Sequence, residues 1–141
     1  MLRFGGLLVL TGLLAGCSIM TVVEDGSGAT AARVTGTITY LQRIALSPAA
    51  VIKVQLVDVS RADAPAIVIS ELVIYANGRQ VPLEFEIDYG PAQIDQRHTY
   101  AVQARIEVDG HLRFINDQHY AVITRGAPAH VDMVLKAVGE H

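Results

Sequence analysis

The chain has 141 residues, a formal net charge of −3 and no tryptophan. This length suits one domain with its own hydrophobic core. The mildly acidic charge, with no basic cluster, argues against a nucleic-acid partner. The single cysteine, Cys17, excludes a disulfide within the chain.

The N-terminus has the pattern of a bacterial lipoprotein signal peptide, residues 1–16. Arg3 supplies a positive charge, and residues 7–14 form a short apolar segment. A lipobox follows, which consists of Leu14, Ala15, Gly16 and Cys17. It predicts recognition by a signal peptidase, cleavage before Cys17 and acylation of that cysteine, with palmitate among the acyl chains. These covalent acyl chains on Cys17 are the only non-protein groups expected, with no cofactor and no metal.

An uncleaved membrane anchor is the alternative for this segment. Residues 4–23 carry no charge, and about 20 such residues can span a bilayer. Four glycines and several hydroxyl residues interrupt the stretch, however, and its strongly apolar part is short. We therefore favour the lipoprotein; both interpretations place residues 24–141 outside the cytoplasm.

Ser18 follows the predicted lipidation site and bears on sorting. In enteric-type bacteria an aspartate at this position retains a lipoprotein in the inner membrane, whereas serine permits export. We therefore expect a protein anchored by lipid in the outer membrane, on its periplasmic side. Cleavage of the first 16 of the 141 residues leaves 125, and loss of Arg3 makes their net charge −4.

Residues 17–32 are predicted to be the lipidated cysteine followed by a flexible tether. The segment is small, polar and glycine-containing, with too little apolar surface to fold alone. Its fifteen residues after Cys17 reach at most about 50 Å when extended, and average about 20 Å as a coil.

The rest of the chain, residues 33–138, predicts an all-β domain. Apolar and polar residues alternate in short runs, at residues 34–40, 52–57, 67–75, 83–89, 100–108, 112–114, 120–122 and 131–135. Tight turns are predicted at Asn77-Gly78 and Asp109-Gly110. Seven or eight such strands predict a single antiparallel β-sandwich of Ig-like architecture, with one helical turn within residues 91–97.

Three details refine this prediction. The run at residues 67–74 alternates poorly, which indicates an edge strand that could dock a partner. Gly36 within a strand pattern indicates a bulge or a close backbone approach. Four tyrosines are expected in the core with their hydroxyls near its rim: Tyr40, Tyr89, Tyr100 and Tyr120.

No catalytic motif is present, and two constellations were weighed as chemistry. Glu84, Glu86 and Asp88 form an acidic row on one strand face. We interpret the row as solvated and opposed by arginines on a neighbouring strand, with Arg105 as the expected cross-strand partner. His111 and His119 flank a hairpin and could approach each other as ligands of a metal site, but we favour the interpretation that both are exposed histidines in turns.

Several stretches together resemble the YbaY family of lipoproteins. These are residues 36–40, 43–46 with Pro48, 54–60, 62–65, 81–82, Tyr100, 104–106, 109–110, 112–114 and 124–126 with Pro128. The resemblance covers roughly residues 34–137. It implies a β-sandwich lipoprotein related to the YscW-type pilotins of type III secretion, which carry a secretin subunit to the outer membrane.

The sequence therefore predicts a non-catalytic protein-binding module of the cell envelope, anchored to the membrane by lipid. The partner is expected to be another envelope protein, such as a secretin, bound through a sheet edge or an apolar groove. Two alternatives stay open: a pilotin-like chaperone for a secretin, and a glycan-associated or hydrolytic envelope protein.

Overall fold

The computed structural model describes residues 31–139. Alternating apolar residues form eight β-strands in this range: β1 (Ala32–Tyr40), β2 (Ala50–Asp58), β3 (Ile67–Tyr75), β4 (Leu83–Tyr89), β5 (Tyr100–Val108), β6 (His111–Ile115), β7 (Tyr120–Val122) and β8 (His130–Ala137). A 3₁₀ turn at Pro91–Gln93 is the only helical element described. The all-β class, the eight strand positions and the short helical turn are confirmed.

The predicted two-sheet, Ig-like sandwich is not what the strands form. They hydrogen-bond in one continuous order, β3-β2-β5-β6-β8-β1-β4, with β7 also paired to β5. A short β6–β8 ladder, Phe114↔Ala137 and Ile115↔Lys136, joins the two halves. The sheet curls until β3 and β4 face each other, so it is barrel-like and nearly closed. The β1–β8 pair is parallel, and the other pairs are antiparallel.

Inward-facing side chains from all the long strands fill the barrel. Ile38, Ile52, Leu56, Ile106 and Met133 are completely withdrawn from solvent or nearly so. Burying each such side chain contributes about 1.5–3 kcal/mol relative to exposing it. The interior is therefore a packed core.

Gly36 has the close backbone approach expected from its place in a strand. A Cβ atom built there would collide with the carbonyl oxygen of Val131 on β8 and lie 2.8 Å from the Phe85 ring on β4. Any other residue would push these strands apart. Glycine therefore permits β1 to pack between β4 and β8.

The antiparallel and parallel registers define two ends of the barrel. The near end carries the start of β1 at Ala32, opposite Tyr89 where β4 ends, and the start of β3. The far end carries the end of β1 at Tyr40, the end of β3 and the β5–β6 hairpin. The residues preceding Ala32 therefore enter the domain at the near end.

Both predicted glycine turns form. Asn77 and Gly78 have φ values of 50° and 86°, and Arg79 N–H donates to the Ala76 carbonyl oxygen at 2.9 Å. Asp109 and Gly110, with φ values of 51° and 79°, close the β5–β6 hairpin. Positive φ at both central positions is what a two-residue hairpin turn requires.

The tyrosine prediction is also confirmed. Tyr40 and Tyr100 are buried, while Tyr89 and Tyr120 are partly buried against the core. Three of the hydroxyls find backbone partners: Tyr40 donates to Ile44 O at 2.8 Å, and Tyr100 and Tyr120 accept from the N–H groups of Asp95 and Val134 at 2.9 and 3.0 Å.

The predicted signal peptide, the predicted lipobox at residues 14–17, Ser18 and nearly all of the predicted tether lie outside the described residues. Within residues 31–139, no helix has the length and apolar character needed to cross a membrane.

Candidate functional site

An apolar groove opens at the far end of the barrel. It is formed where the loop after β1, the start of β6 and the end of β8 meet, and its volume is 410 Å³. Its apolar lining is Ile44, Leu112, Phe114, Ala137 and Val138. Ile44, Leu112 and Val138 are exposed, and exposed apolar side chains around a concave surface are typical of a binding site. We call this surface the far-end groove.

Phe114, which lines the far-end groove, belongs to an aromatic stack. The rings of Tyr40 on β1 and Phe114 on β6 lie 4.3 Å apart and nearly parallel. A smaller cavity of 160 Å³ lies on the other side of Ile44 and shares Phe114. Burial raises the pKa of the Tyr40 hydroxyl, which therefore stays protonated and able to donate to the carbonyl oxygen of Ile44.

Hydrogen bonds hold the loop that forms one wall of the groove. The side chain of Gln80 takes the place of a neighbouring strand: its Oε1 accepts from Leu46 N–H at 2.7 Å, and its Nε2 donates to Leu46 O at 3.1 Å. Tyr40 pins the same loop at Ile44. Ile44 is thus presented to solvent by a fixed backbone, which lowers the entropy cost of binding there.

Basic residues lie at and near the rim of the far-end groove. His111 and Arg113 line it directly, and Arg43 lies next to Ile44 in the fixed loop. Within residues 31–139, none of these three side chains makes an ion pair. The groove therefore suits an apolar segment with carboxylates along its edges.

The acidic row lies on the outer face of β4, and its predicted arginine partner was the wrong one. Arg33 on β1 contacts Glu86 at 3.1 Å and Asp88 at 2.9 Å. Arg105 lies on β5, which does not pair with β4, and contacts Glu107 at 3.5 Å. Cross-strand pairing follows the strand order, which local alternation does not encode.

Glu84 and Glu86 of this row line a shallow depression of 460 Å³, together with His130. The Glu86 and Asp88 side chains are 62% and 61% exposed, and Nδ1 of His130 lies 2.9 Å from the Thr35 hydroxyl. A carboxyl group that acts as a general acid is normally withdrawn from water. These exposed, ion-paired carboxylates have the character of a solvated sheet face.

The histidines do not converge with other ligands. No group of three or more His, Cys, Asp or Glu residues within residues 31–139 could hold a metal ion. The closest histidine–carboxylate pair is His98 and Asp58, at 2.7 Å. Partial burial tends to raise the pKa of Asp58, but hydrogen bonds from Ser60 and His98 outweigh it and hold that pKa below its usual value.

Sequence reasoning located the edge strand and missed the far-end groove. β3 does end the strand order, as expected from residues 67–74. The groove residues come from three separate segments, and two of them, 43–46 and 112–114, are stretches that carry the family resemblance. This overlap between groove residues and family-like stretches was the signal in the sequence that could have located the groove.

Comparison with known proteins gives a consistent result. The family described as type III secretion system lipoprotein chaperone (YscW) matches residues 29–135. The uncharacterized lipoprotein YbaY of Escherichia coli K12 is 37% identical over 93 residues, which is 66% of this chain and 49% of YbaY. The match thus spans about half the length of this curated relative.

A solved structure shows the same fold at higher identity. It is described as an alternative pilotin from the type II secretion system of Vibrio cholerae, and it is 51% identical with a TM-score of 0.76. The match covers 78% of this chain and 99% of the pilotin. From these matches and the barrel-like fold, we conclude that the chain belongs to the YscW family of secretion-system lipoprotein chaperones.

Proposed function

We propose that this protein is a non-catalytic, pilotin-like chaperone that binds an apolar segment of another envelope protein in the far-end groove. The observation that carries the proposal is the exposure of Ile44, Leu112 and Val138 around a fixed, concave surface. Membership of a lipoprotein-chaperone family and the likeness to a type II secretion pilotin support it.

The occupant that we propose is a segment of a secretin subunit. The groove is lined by Phe114 and aliphatic side chains, and also by His111 and Arg113, so the segment should place apolar side chains inward and carboxylates outward. Burial of the aromatic and aliphatic contacts would supply most of the affinity, whereas the arginines would favour the correct register.

The lipid anchor is the second part of the proposal. Acylation at Cys17, after recognition of Leu14, Ala15 and Gly16, would hold the chaperone at a membrane, and Ser18 would permit its export to the outer membrane. Two or more acyl chains give stable attachment. A bound secretin subunit would then be carried to the periplasmic side of that membrane.

Paired substitutions test the groove. Leu112 and Val73 are both apolar, lie on strands and are 38% and 39% exposed, but only Leu112 lines the groove. In a strain that lacks the gene, full-length Leu112→Asp should fail to restore outer-membrane secretin multimers, whereas Val73→Asp should restore them. Multimers that are unchanged by deletion of the gene would overturn the chaperone function.

Crosslinking identifies the partner directly. A photoreactive residue at Ile44 or Leu112 should capture a secretin subunit in cells, and one at Val73 should not. Capture from Val73 alone would move the docking site to the outer face of β3. Cys17→Ala should abolish acylation, so that the protein is either released into the periplasm or held at the membrane by an unprocessed signal peptide. Crosslinking from Ile44 should persist in both forms, which separates the lipid anchor from the groove.

A further inference from the structure

A second exposed apolar surface lies at the opposite end of the barrel. Residues 64–68, Ala-Pro-Ala-Ile-Val, are five consecutive apolar residues, and all are exposed. Ile67 and Val68 begin β3 with 56% and 49% of their surface accessible. A contiguous apolar run of this kind usually marks a surface that is covered in the working protein.

The strand register places this run beside the point where the N-terminal segment enters. The Ser70 hydroxyl on β3 donates to the carbonyl oxygen of Asp88 on β4 at 2.7 Å. Asp88 in turn is paired with Arg33 on β1, and Tyr89 with Ala32. β3, β4 and β1 thus lie side by side at this level, and the start of β3 projects from the same end as Ala32.

Two arginines that make no ion pair lie at the same end of the barrel as the run, and one carboxylate, Asp63, lies in the loop just before it. Arg61 lies in the same loop, and Arg125 donates to the backbone oxygen of Arg97 at 2.7 Å. Neither Arg61 nor Arg125 makes an ion pair within the described part of the chain. Free guanidinium groups bind phosphate oxygens well, often through two parallel hydrogen bonds.

Further contacts place Arg125 at the same end as the run. His98, which follows Arg97, contacts Asp58 at 2.7 Å, and Asp58 is the β2 partner of Ile67. Thr124 donates to the carbonyl oxygen of His98 at 2.6 Å. The loops that carry Arg61, Arg97 and Arg125 therefore converge around the start of β3.

We infer that the near end of the barrel docks on the lipid bilayer itself. Residues 64–68 would lie at the boundary between headgroups and acyl chains, with Arg61 and Arg125 on lipid phosphates. The inference rests on the proposed acylation of Cys17, because the residues between Cys17 and β1 reach at most about 50 Å and enter at this end. The far-end groove would then face away from the membrane.

The absence of tryptophan makes a direct test possible. Ile67→Trp and Tyr75→Trp introduce single reporters at the two ends of β3, where the native side chains are 56% and 60% exposed. The processed lipoprotein is reconstituted in vesicles of phosphatidylethanolamine and phosphatidylglycerol with brominated acyl chains. The fluorescence emission of Ile67→Trp should shift to the blue and lose at least about half of its intensity, because the indole ring enters the boundary between headgroups and acyl chains. The emission of Tyr75→Trp should keep its wavelength and intensity.

Vesicle flotation distinguishes a failure of the anchor from a failure of docking. If the protein floats with the vesicles but Ile67→Trp and Tyr75→Trp show the same emission, docking is overturned and the lipid anchor is supported. Protein that does not float would overturn both. A shift of Ile67→Trp that needs no lipid but depends on protein concentration would assign the surface to a second copy of the chain, against the inference.

A measurement without substitution guards against a misfolded reporter. Amide hydrogen exchange of the unsubstituted lipoprotein should slow at residues 61–68 on reconstitution, and exchange at the 41–47 loop should not change. Equal exchange at residues 61–68 in vesicles and in detergent would overturn docking. Arg61→Glu combined with Arg125→Glu should reduce this protection from exchange. The reduction should be larger with anionic vesicles than with phosphatidylcholine vesicles, because only the anionic surface attracts the arginines through its net charge.

Discussion

The hydroxyl group of Ser70 on β3 donates a 2.7 Å hydrogen bond to the carbonyl oxygen of Asp88 on β4. The two strands end the hydrogen-bonded order of the sheet, and this side chain bridges the seam between them. A side chain thus occupies the place where a backbone ladder would close the barrel. The seam also limits access to the β3 edge, which otherwise could pair with another chain.

Ser70→Ala should therefore loosen the seam. The free energy of unfolding should fall by at most about 1 kcal/mol, because one solvent-exposed hydrogen bond is lost. Amide exchange should become faster in β3 and β4 and stay the same in β5, which is measured by mass spectrometry. Unchanged exchange in β3 would show that β2 alone holds this strand in place.

Gly36→Ala should destabilise the domain strongly. The new methyl group would meet the Val131 carbonyl oxygen and the Phe85 ring, and such overpacking should cost at least about 3 kcal/mol in the free energy of unfolding. Gly78→Ala is the control: no atom lies near its Cβ position, and only its φ of +86° opposes a side chain, for about 1 kcal/mol. Equal losses in urea denaturation would contradict the close approach.

Asp58 should make stability depend on acid pH. Hydrogen bonds from Ser60 and His98 outweigh partial desolvation and hold its folded-state pKa below the unfolded value of about 3.9. The stabilisation is therefore complete above that value and is lost as the pH falls through the folded-state pKa. Asp58→Asn should make the acid limb of a stability–pH curve less steep, with Asp63→Asn, in an exposed loop, as the control.

Gln80→Leu should release the loop that presents Ile44. Two hydrogen bonds to the buried Leu46 backbone are removed, and the unfolding free energy should fall by about 1–3 kcal/mol. Crosslinking from Ile44 should weaken as well, because a mobile loop must be ordered on binding. Gln96→Leu, at an exposed position, is the control; equal losses from both variants would argue that Gln80 has no role in preorganisation.

The alternation of apolar and polar residues made the strand positions predictable from the sequence. The pairing between distant strands was not predictable, because local alternation does not specify which strands become neighbours. Leu83, Phe85 and Ile87 alternate with acidic residues and predict β4 from the sequence alone. The β6–β8 ladder consists of two residue pairs, and nothing local in either strand encodes it. Without that link, two sheets were a natural expectation, although the structure contains one.

The candidate site was harder to predict for the same reason. Ile44, Leu112 and Val138 belong to a loop, the start of a strand and the chain just after a strand, and no periodic pattern connects them. Arg33 rather than Arg105 pairs with the acidic row because β1 lies beside β4. Both outcomes depend on which strands become neighbours, and that is decided by packing across the whole barrel.

The place of β8 in the sheet has a consequence for the order of folding. β8 lies between β6 and β1, so in the described domain the β1–β4 pair joins the remaining backbone ladders only through this last strand. A chain that crosses a membrane from its N-terminus cannot complete its sheet until residues 130–137 have emerged. Pairs such as Thr35↔His130 join residues that lie far apart in the sequence, and contacts of long sequence separation form slowly, so the sheet is expected to close last.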